Sequence, residues 1–191
     1  MSTRQTTDRG GLSRRHVLAW GALASLAPVT GRAASSAELQ QDAQAALQQL
    51  YATTPAAKEL GAKARAVLVF PKIVKAGMMV GGQTGEGVLF RGPQAVAYYR
   101  ISAASFGLQL GVQKFGYALF FMTQDALNYL SKSEGWAIGS GPSVVVVDKG
   151  MAKTINTTTL SQAVYAVAFG QQGLMAGLGL EGSKITQISP K

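Results

Sequence analysis

The chain has 191 residues, and its 18 Lys and Arg against 9 Asp and Glu give a formal net charge of +9. It contains no cysteine and a single histidine, His16. These counts exclude disulfides and thiol nucleophiles, and a Ser-His pair or an ordinary zinc site would have to use His16. We expect no cofactor, no bound metal and no enzymatic activity.

Residues 1–33 have the pattern of an export signal. A basic region is followed by the apolar stretch VLAWGALASLAPV, which is too short to span a bilayer, and Gly31 and Ala33 are small residues suited to cleavage after Ala33. The string SRRHVL resembles a twin-arginine signal; the alternative is an ordinary secretory signal with two arginines. We therefore expect one domain, residues 34–191, that is periplasmic or otherwise exported. Without a cysteine it is not expected to be a lipoprotein.

The predicted mature domain is modestly basic. Removal of residues 1–33 leaves thirteen basic and eight acidic residues, a net charge of +5. This excess suits an anionic lipid surface and is weak support for a nucleic-acid partner, which we do not expect outside the cytoplasm.

Two helices open the domain. Ser36 to Tyr51 has apolar residues at helical spacing, a serine cap and a glutamine-rich opposite face. Thr54 and Pro55 then give the cap and first position of a second helix, which runs to about Arg65.

Short strand segments dominate the rest of the chain. The segments AVLVFP and IVKAGMMVGG come first, and GVLFRG and AVAYYRI form a hairpin around Gly92 and Pro93. SFGLQLGVQKFGYALFFMT is two strands or one long bent strand, and a short helix follows Thr123. PSVVVVDKG is predicted as a buried strand, while AVYAVAFG and GLMAGLGLEG form a second hairpin in which VYAVAF could instead be helical. The fold class is α+β: N-terminal helices, then a largely antiparallel, strongly curved, glycine-rich sheet with one or two short further helices.

A glycine pattern occurs three times among these strands. The copies are Gly77, Gly81 and Gly85; Gly107, Gly111 and Gly116; and Gly173, Gly177 and Gly182. Close packing of membrane helices is the rival interpretation, but polar residues interrupt every copy. We expect the glycines to be structural, because glycine leaves room for another backbone or chain to approach.

The candidate binding residues are basic and apolar. Five cations lie within a short stretch that contains one acid, and an apolar stripe runs along the first helix. The cations are Lys58, Lys63, Arg65, Lys72 and Lys75, and the leucines of the stripe are Leu39, Leu47 and Leu50. Together they suit an anionic membrane surface. The alternative is that the helix packs on the sheet and the cations are solvated.

Two carboxylates, Glu86 and Glu181, lie among the repeat glycines. They are either residues of turns and sheet rims or the acids of an unrecognised active site.

Five ordered blocks resemble the SYLF family of lipid-binding domains over Ala37 to Ile188. The blocks are VLVFPKIVKAG, GGQTGEGVL, SFGLQLGVQKFGYALFFMT, GPSVVVVDKGMA and GLMAGLGLEGSKI. The resemblance implies phospholipid binding without enzymatic activity, with phosphoinositide and actin binding described for eukaryotic members. It also links membrane contact to an N-terminal amphipathic helix and basic residues. We therefore predict an exported phospholipid-binding domain whose partner is an anionic membrane surface. The alternative is an envelope adaptor that binds another protein.

Overall fold

The structure, a computed structural model, describes residues 35–132, 134–147, 160–172, 180 and 182–189, and gives the backbone alone for 78–80 and 105–110. They belong to a compact unit, Ala33–Lys191. The predicted export signal lies outside the described residues and stays a prediction. Most of the predicted GLMAGLGLEG strand also lies outside them, and its described residues, Leu180 and Gly182, are not in a strand. The elements are α1 (Ser36–Thr53), α2 (Pro55–Lys63), β1 (Ala66–Arg91), β2 (Gln94–Phe121), α3 (Gln124–Leu130), β3 (Trp136–Ala137), β4 (Val144–Val147), β5 (Val164–Gln172) and β6 (Lys184–Ile188).

The helices begin where the sequence predicts. Ser35 caps α1, accepting a hydrogen bond from the Glu38 amide while the Glu38 side chain accepts one from the Ser35 amide. This capping box satisfies two amides that the helix leaves unpaired. Pro55 occupies the start of α2, and the Thr123 hydroxyl accepts from the Ala126 amide to cap α3. None of the described helices is both long and apolar enough to cross a membrane.

A single long hairpin, β1 with β2, dominates the sheet. It pairs from Arg91–Gln94 beside the Gly92–Pro93 turn out to Ala66–Phe121. The segments that the sequence divides into separate strands are continuous. Pro71 is tolerated because it lies in a register shift between Phe70 and Ile73, and a bulge is a position where a strand accepts proline.

The β1 strand folds back on itself. A Cβ atom at Gly87 would lie 2.6 Å from the Val69 carbonyl oxygen, and one at Gly85 would lie 2.7 Å from the Lys72 carbonyl oxygen. The two halves of β1 are therefore in backbone contact. The bend lies between them, where pairing with β2 shifts register between Met78 and Val80, as expected of a bulge. The prediction of a strongly curved, glycine-rich sheet is confirmed.

The other strands add to β2. Its first half pairs with β6 and its second half with β5, both antiparallel, while β3 pairs with β6. The pairing of β4 with β5 is the one parallel pairing among the described strands. The other pairings are antiparallel, so the described sheet is largely antiparallel, as predicted. The segment VYAVAF is strand, in β5. The prediction that the four valines of β4 are buried is wrong: Val147 is buried, but Val146 is 38% exposed. Among the described strands, β4 lies at the end of the strand order and has β5 as its one neighbour.

Two apolar cores lie on opposite faces of the sheet. Alternating residues of β1 enter each, with Leu68 and Phe70 in the first and Val67 and Val69 in the second. This is the period of two that a strand imposes. Helix α3 and Trp136 contribute to the first core, and α1 and α2 contribute to the second. The predicted α+β class is confirmed.

Candidate anion-binding pocket and apolar cavity

The predicted basic cluster does not form one patch. Lys58 and Lys63 lie on α2 and Arg65 directly follows it, whereas Lys72 and Lys75 lie on β1. An extended strand advances about 3.3 Å per residue, which puts Lys72 roughly 20 Å along the chain from the start of β1. Four of the five side chains are exposed, and Lys75 is half-buried.

Lys72 instead meets a cation from another strand. It lines a pocket of about 300 Å³ together with Lys114 of β2 and Gln172 of β5. Lys114 pairs directly with Gln172 and with Val74, so three strands bring this row of residues together. The remaining lining residues are Pro71, Phe115 and Gly170. We call this pocket the basic pocket.

The two cations of the basic pocket lack a neutralising acid within the part of the chain that the structure describes. The ion pair in the described part of the chain lies outside the basic pocket and joins Arg100 to Glu86, with 2.7 Å between Nη2 and Oε1. Neither Lys72 nor Lys114 takes part in it, and both side chains are exposed. Two unneutralised cations around one concavity raise the local concentration of anions. The pocket therefore has the charge and the room to receive a phosphate or a carboxylate group.

The second concavity is apolar. A cavity of about 490 Å³ lies where the start of β1 meets the hairpin turn, with α1 and α2 on its other sides. Lys58 is the one charged residue of its lining. The lining residues are Leu47, Tyr51, Lys58, Gly61, Ala62, Ala64, Ala66, Val67, Phe90 and Gly92. We call this space the apolar cavity.

The three leucines assigned to membrane contact are turned towards the protein. Leu39 and Leu50 are 5% and 2% exposed and belong to the core under α1, while half-buried Leu47 lines the apolar cavity. The structure thus matches the alternative in which the helix packs on the sheet. Their assignment as lipid-binding residues stays a prediction, as does that of the basic cluster.

The carboxylate of Glu86 is held by its neighbour across the hairpin. Glu86 pairs with Arg100 in the β1–β2 register, and the Arg100 guanidinium donates to it. This is what a residue of a sheet rim does, and a half-exposed pair of this kind stabilises little. Glu181 lies outside the described residues. Within those residues, no group of three acids or histidines could hold a metal ion.

Sequence reasoning missed Lys114 and Tyr51. Lys114 interrupts an apolar, glycine-rich run, and that interruption was the available signal for a functional cation. Tyr51 looks like another apolar residue of the α1 stripe, but its ring contacts Phe120, with 6.4 Å between ring centroids, and it lines the apolar cavity. Burial raises the pKa of its hydroxyl above the ordinary value of 10.0.

Residues 102–189 match a family model described as "Ysc84: Las17-binding protein actin regulator", which is the model of the SYLF domain. The match is consistent with a member of the SYLF family. Three of the five sequence blocks lie within the matched residues, so the match confirms the resemblance over residues 102–189, while the blocks VLVFPKIVKAG and GGQTGEGVL lie outside it. SYLF domains form a family of binding domains, known for lipid and actin binding. No individual curated protein matches the chain. The match includes Lys114 but none of α1, α2 or β1, so Lys72 and all the lining residues of the apolar cavity lie outside it.

Proposed function

We propose that this protein binds phospholipids at a membrane surface of the cell envelope, and that the basic pocket receives an anionic headgroup. The observation that carries the proposal is that Lys72 and Lys114 line one concavity without a described counter-charge. The family supports lipid as the partner, and the net charge of +5 predicted for the mature domain supports an anionic surface.

The electrostatics of a membrane surface fit this arrangement. Each cation close to an anionic leaflet contributes roughly 1 kcal/mol, and the attraction falls off within a Debye length. Because Lys72 and Lys114 are both exposed, they can approach headgroups without displacing protein contacts. Lys58, Lys63 and Arg65 are exposed as well and would add to the attraction from a second region.

Vesicle flotation tests the proposal. The probes are vesicles of phosphatidylcholine alone and of phosphatidylcholine mixed with phosphatidylglycerol, at low salt. The double variant Lys72→Glu, Lys114→Glu replaces two attractions by two repulsions, so its affinity for the anionic vesicles should fall on the order of a hundredfold or more.

The matched control is Lys132→Glu, Lys184→Glu. Both of these lysines are exposed and neither lines the basic pocket, so the total charge changes equally while the pocket is kept. An equal loss in both double variants would show that net charge, and not the pocket, drives binding. Absence of binding to both kinds of vesicle would leave the envelope adaptor as the better function.

The envelope location rests on the export signal and needs its own test. Replacement of Arg14 and Arg15 by lysine should stop export if the signal is of the twin-arginine type, because lysine does not reproduce the guanidinium group. An ordinary secretory signal would still export the double variant. Fractionation of cells that express each form distinguishes the two routes, and an unsecreted parent protein would contradict the location itself.

Protein binding as the main function has less support. A docking face for another protein is expected to be a contiguous apolar patch. The large apolar side chains that are exposed in the described part of the chain are Val96, Val112 and Val146. Single exposed valines are ordinary on a protein surface, so they do not favour a protein partner.

A further inference from the structure

Apart from Lys58, the residues that line the apolar cavity have no part in the proposed binding to a membrane surface. We propose that the apolar cavity is a second, separate ligand site, which takes the single acyl chain of an anionic amphiphile with the charged group at Lys58. The shared chemistry is one apolar chain ending in a carboxylate or a phosphate group. A free fatty acid and a lysophospholipid are the two sources of that chemistry.

The walls of the cavity select an apolar ligand. Leu47, Val67 and Phe90 supply side chains from α1, the start of β1 and the end of β1, and small residues of α2 and the following turn complete the lining. A polar ligand would lose its hydrogen bonds to water without gaining partners from these walls. A hydrocarbon chain has no hydrogen bonds to water to lose, and its entry removes apolar area from water.

The size suits one chain. Pockets for small molecules measure roughly 300–1,000 Å³ and combine an apolar lining with a few polar groups. The cavity, at about 490 Å³, falls in the lower half of that range. Its volume therefore favours a single-chain amphiphile over a phospholipid with two chains.

Lys58 gives the ligand its charge. It is the one ionic residue in the lining, and its side chain is exposed, so it lies where the cavity meets solvent. Within the described residues, no salt bridge involves it. A carboxylate or phosphate at this position gains an ion pair while its chain enters the cavity.

Tyr51 makes one wall rigid. Its hydroxyl lies directly over Gly61, where any Cβ atom would collide with it, and its ring is in contact with Phe120. The absence of a side chain at Gly61 thus fixes how closely α2 approaches the Tyr51 ring. A wall held on both sides keeps the cavity from collapsing when it is empty, which is the preorganisation a binding site needs.

Fluorescence of cis-parinaric acid provides the direct test, with purified full-length protein below the concentration at which the acid aggregates. We expect saturable emission at one molecule per chain. Palmitate and palmitoyl lysophosphatidic acid, used as competitors, distinguish the two sources by their headgroups. In a series of shorter fatty acids, each added methylene should tighten binding about fourfold until the cavity is full.

Two variants test the site against simple surface adsorption. Ala62→Phe places a ring in the cavity mouth from an exposed position, and binding should weaken at least about tenfold, since the chain loses its space. Lys58→Met keeps an unbranched side chain without the charge. It should weaken palmitate about fivefold and leave uncharged hexadecanol unchanged.

The matched control for the first variant is Ala37→Phe, an exposed position on α1 outside the lining. It should bind cis-parinaric acid as the parent protein does, and far-ultraviolet circular dichroism shows that each variant is folded. The inference is overturned if the parent protein does not bind the probe, or if Ala62→Phe binds it as tightly as Ala37→Phe. Ala62→Phe should still float with anionic vesicles, and Lys72→Glu, Lys114→Glu should still bind the probe, so this site and the proposed function can fail independently.

Discussion

The basic pocket and the apolar cavity differ in how they are built. The basic pocket is formed by residues of three neighbouring strands, and its positive charge comes from Lys72 and Lys114. The apolar cavity lies between helices and strands, and its character comes from its apolar walls and one cation, Lys58. Charges act across solvent, whereas apolar walls act by contact. The first site therefore suits a surface and the second suits a single molecule.

The two sites nevertheless share one scaffold. Both take residues from the first half of β1, which lies against the second half because Gly85 and Gly87 leave room for its backbone. A substitution that disturbs this contact should weaken binding at both sites. A change in salt concentration, or a substitution in the lining of one site, should weaken binding at one site alone.

The largest expected effect is that of Gly85→Val. A Cβ atom there would lie 2.7 Å from the Lys72 carbonyl oxygen and 2.8 Å from the Ile73 side chain. Overpacking typically costs about 1–3 kcal/mol, and a clash with backbone belongs at the upper end, near 3 kcal/mol. At roughly 2–4 °C per kcal/mol, the thermal midpoint should fall by about 6–12 °C. Vesicle binding should fall more than probe binding, because Lys72 itself is displaced.

The control for this change is Gly82→Val on the same strand. Among the described residues, its Cβ atom would meet the Ala103 carbonyl oxygen alone, at 3.2 Å. Its midpoint should fall less, and equal melting of the two variants would show that the fold-back of β1 does not depend on Gly85.

Gly111→Val should destabilise the domain without altering either site. Gly111 pairs with Gly77 in the middle of the hairpin and has a φ of 138°, a conformation that favours glycine. Such strain costs about 1–3 kcal/mol, so we expect about 2 kcal/mol and a midpoint lower by several degrees. Ala104→Val, at an exposed position of the same strand, is the control. An unchanged midpoint would contradict the assignment of strain to this residue.

Salt should separate the two sites in the parent protein. Raising the salt concentration from about 0.1 M to about 1 M shortens the Debye length from roughly 10 Å to 3 Å. Affinity for anionic vesicles should fall about tenfold or more, since exposed cations carry it. Affinity for cis-parinaric acid should change by less than about twofold, because burial of the chain carries it. A parallel loss in both measurements would remove the distinction between the sites.

The smallest effect concerns alkaline stability. Burial raises the pKa of Tyr117 to about 12, from an ordinary value of 10.0. Between these two pH values the folded protein keeps a proton on Tyr117 that the unfolded chain releases. The contribution of Tyr117 to the stability of the fold is therefore fully present below about pH 10 and is lost as the pH rises through about 12. In Tyr117→Phe the thermal midpoint should fall less steeply over this range. Because the Tyr117 ring contacts Phe115, which lines the basic pocket, the substitution could also disturb that pocket. Unchanged vesicle binding at neutral pH is the control that the pocket is intact.

Local signals in the sequence were enough for the three helices, for most of the strand segments and for the fold class, but they did not predict the short strands β3 and β6. The alternation and helical spacing around Leu39, Leu50 and Val67 predict which faces are buried, and Gly92 with Pro93 marks the turn of the long hairpin. These features depend on neighbours a few residues apart. The fold-back of β1 could not be predicted, because no local pattern says that Gly87 lies on Val69.

The candidate sites were harder to predict for the same reason. The five cations were grouped by sequence distance, but an extended strand carries Lys72 away from Lys58 and towards Lys114 of the next strand. The spacing of Leu39 and Leu50 predicts an apolar stripe but not what covers it. Contacts between distant segments determine where Lys72 lies and what covers the apolar stripe of α1. No fixed spacing in the sequence indicates such contacts.

The fold-back of β1 also bears on the order in which the protein folds. The hairpin can zip from Arg91–Gln94 towards Ala66–Phe121, since each new pair closes a short loop once the previous pair exists. Val67 and Phe90 are brought together only after the zipped ribbon bends. The apolar cavity, which needs both residues and the two helices, is then among the last parts of the molecule to form. Competence to hold an acyl chain would mark the end of folding.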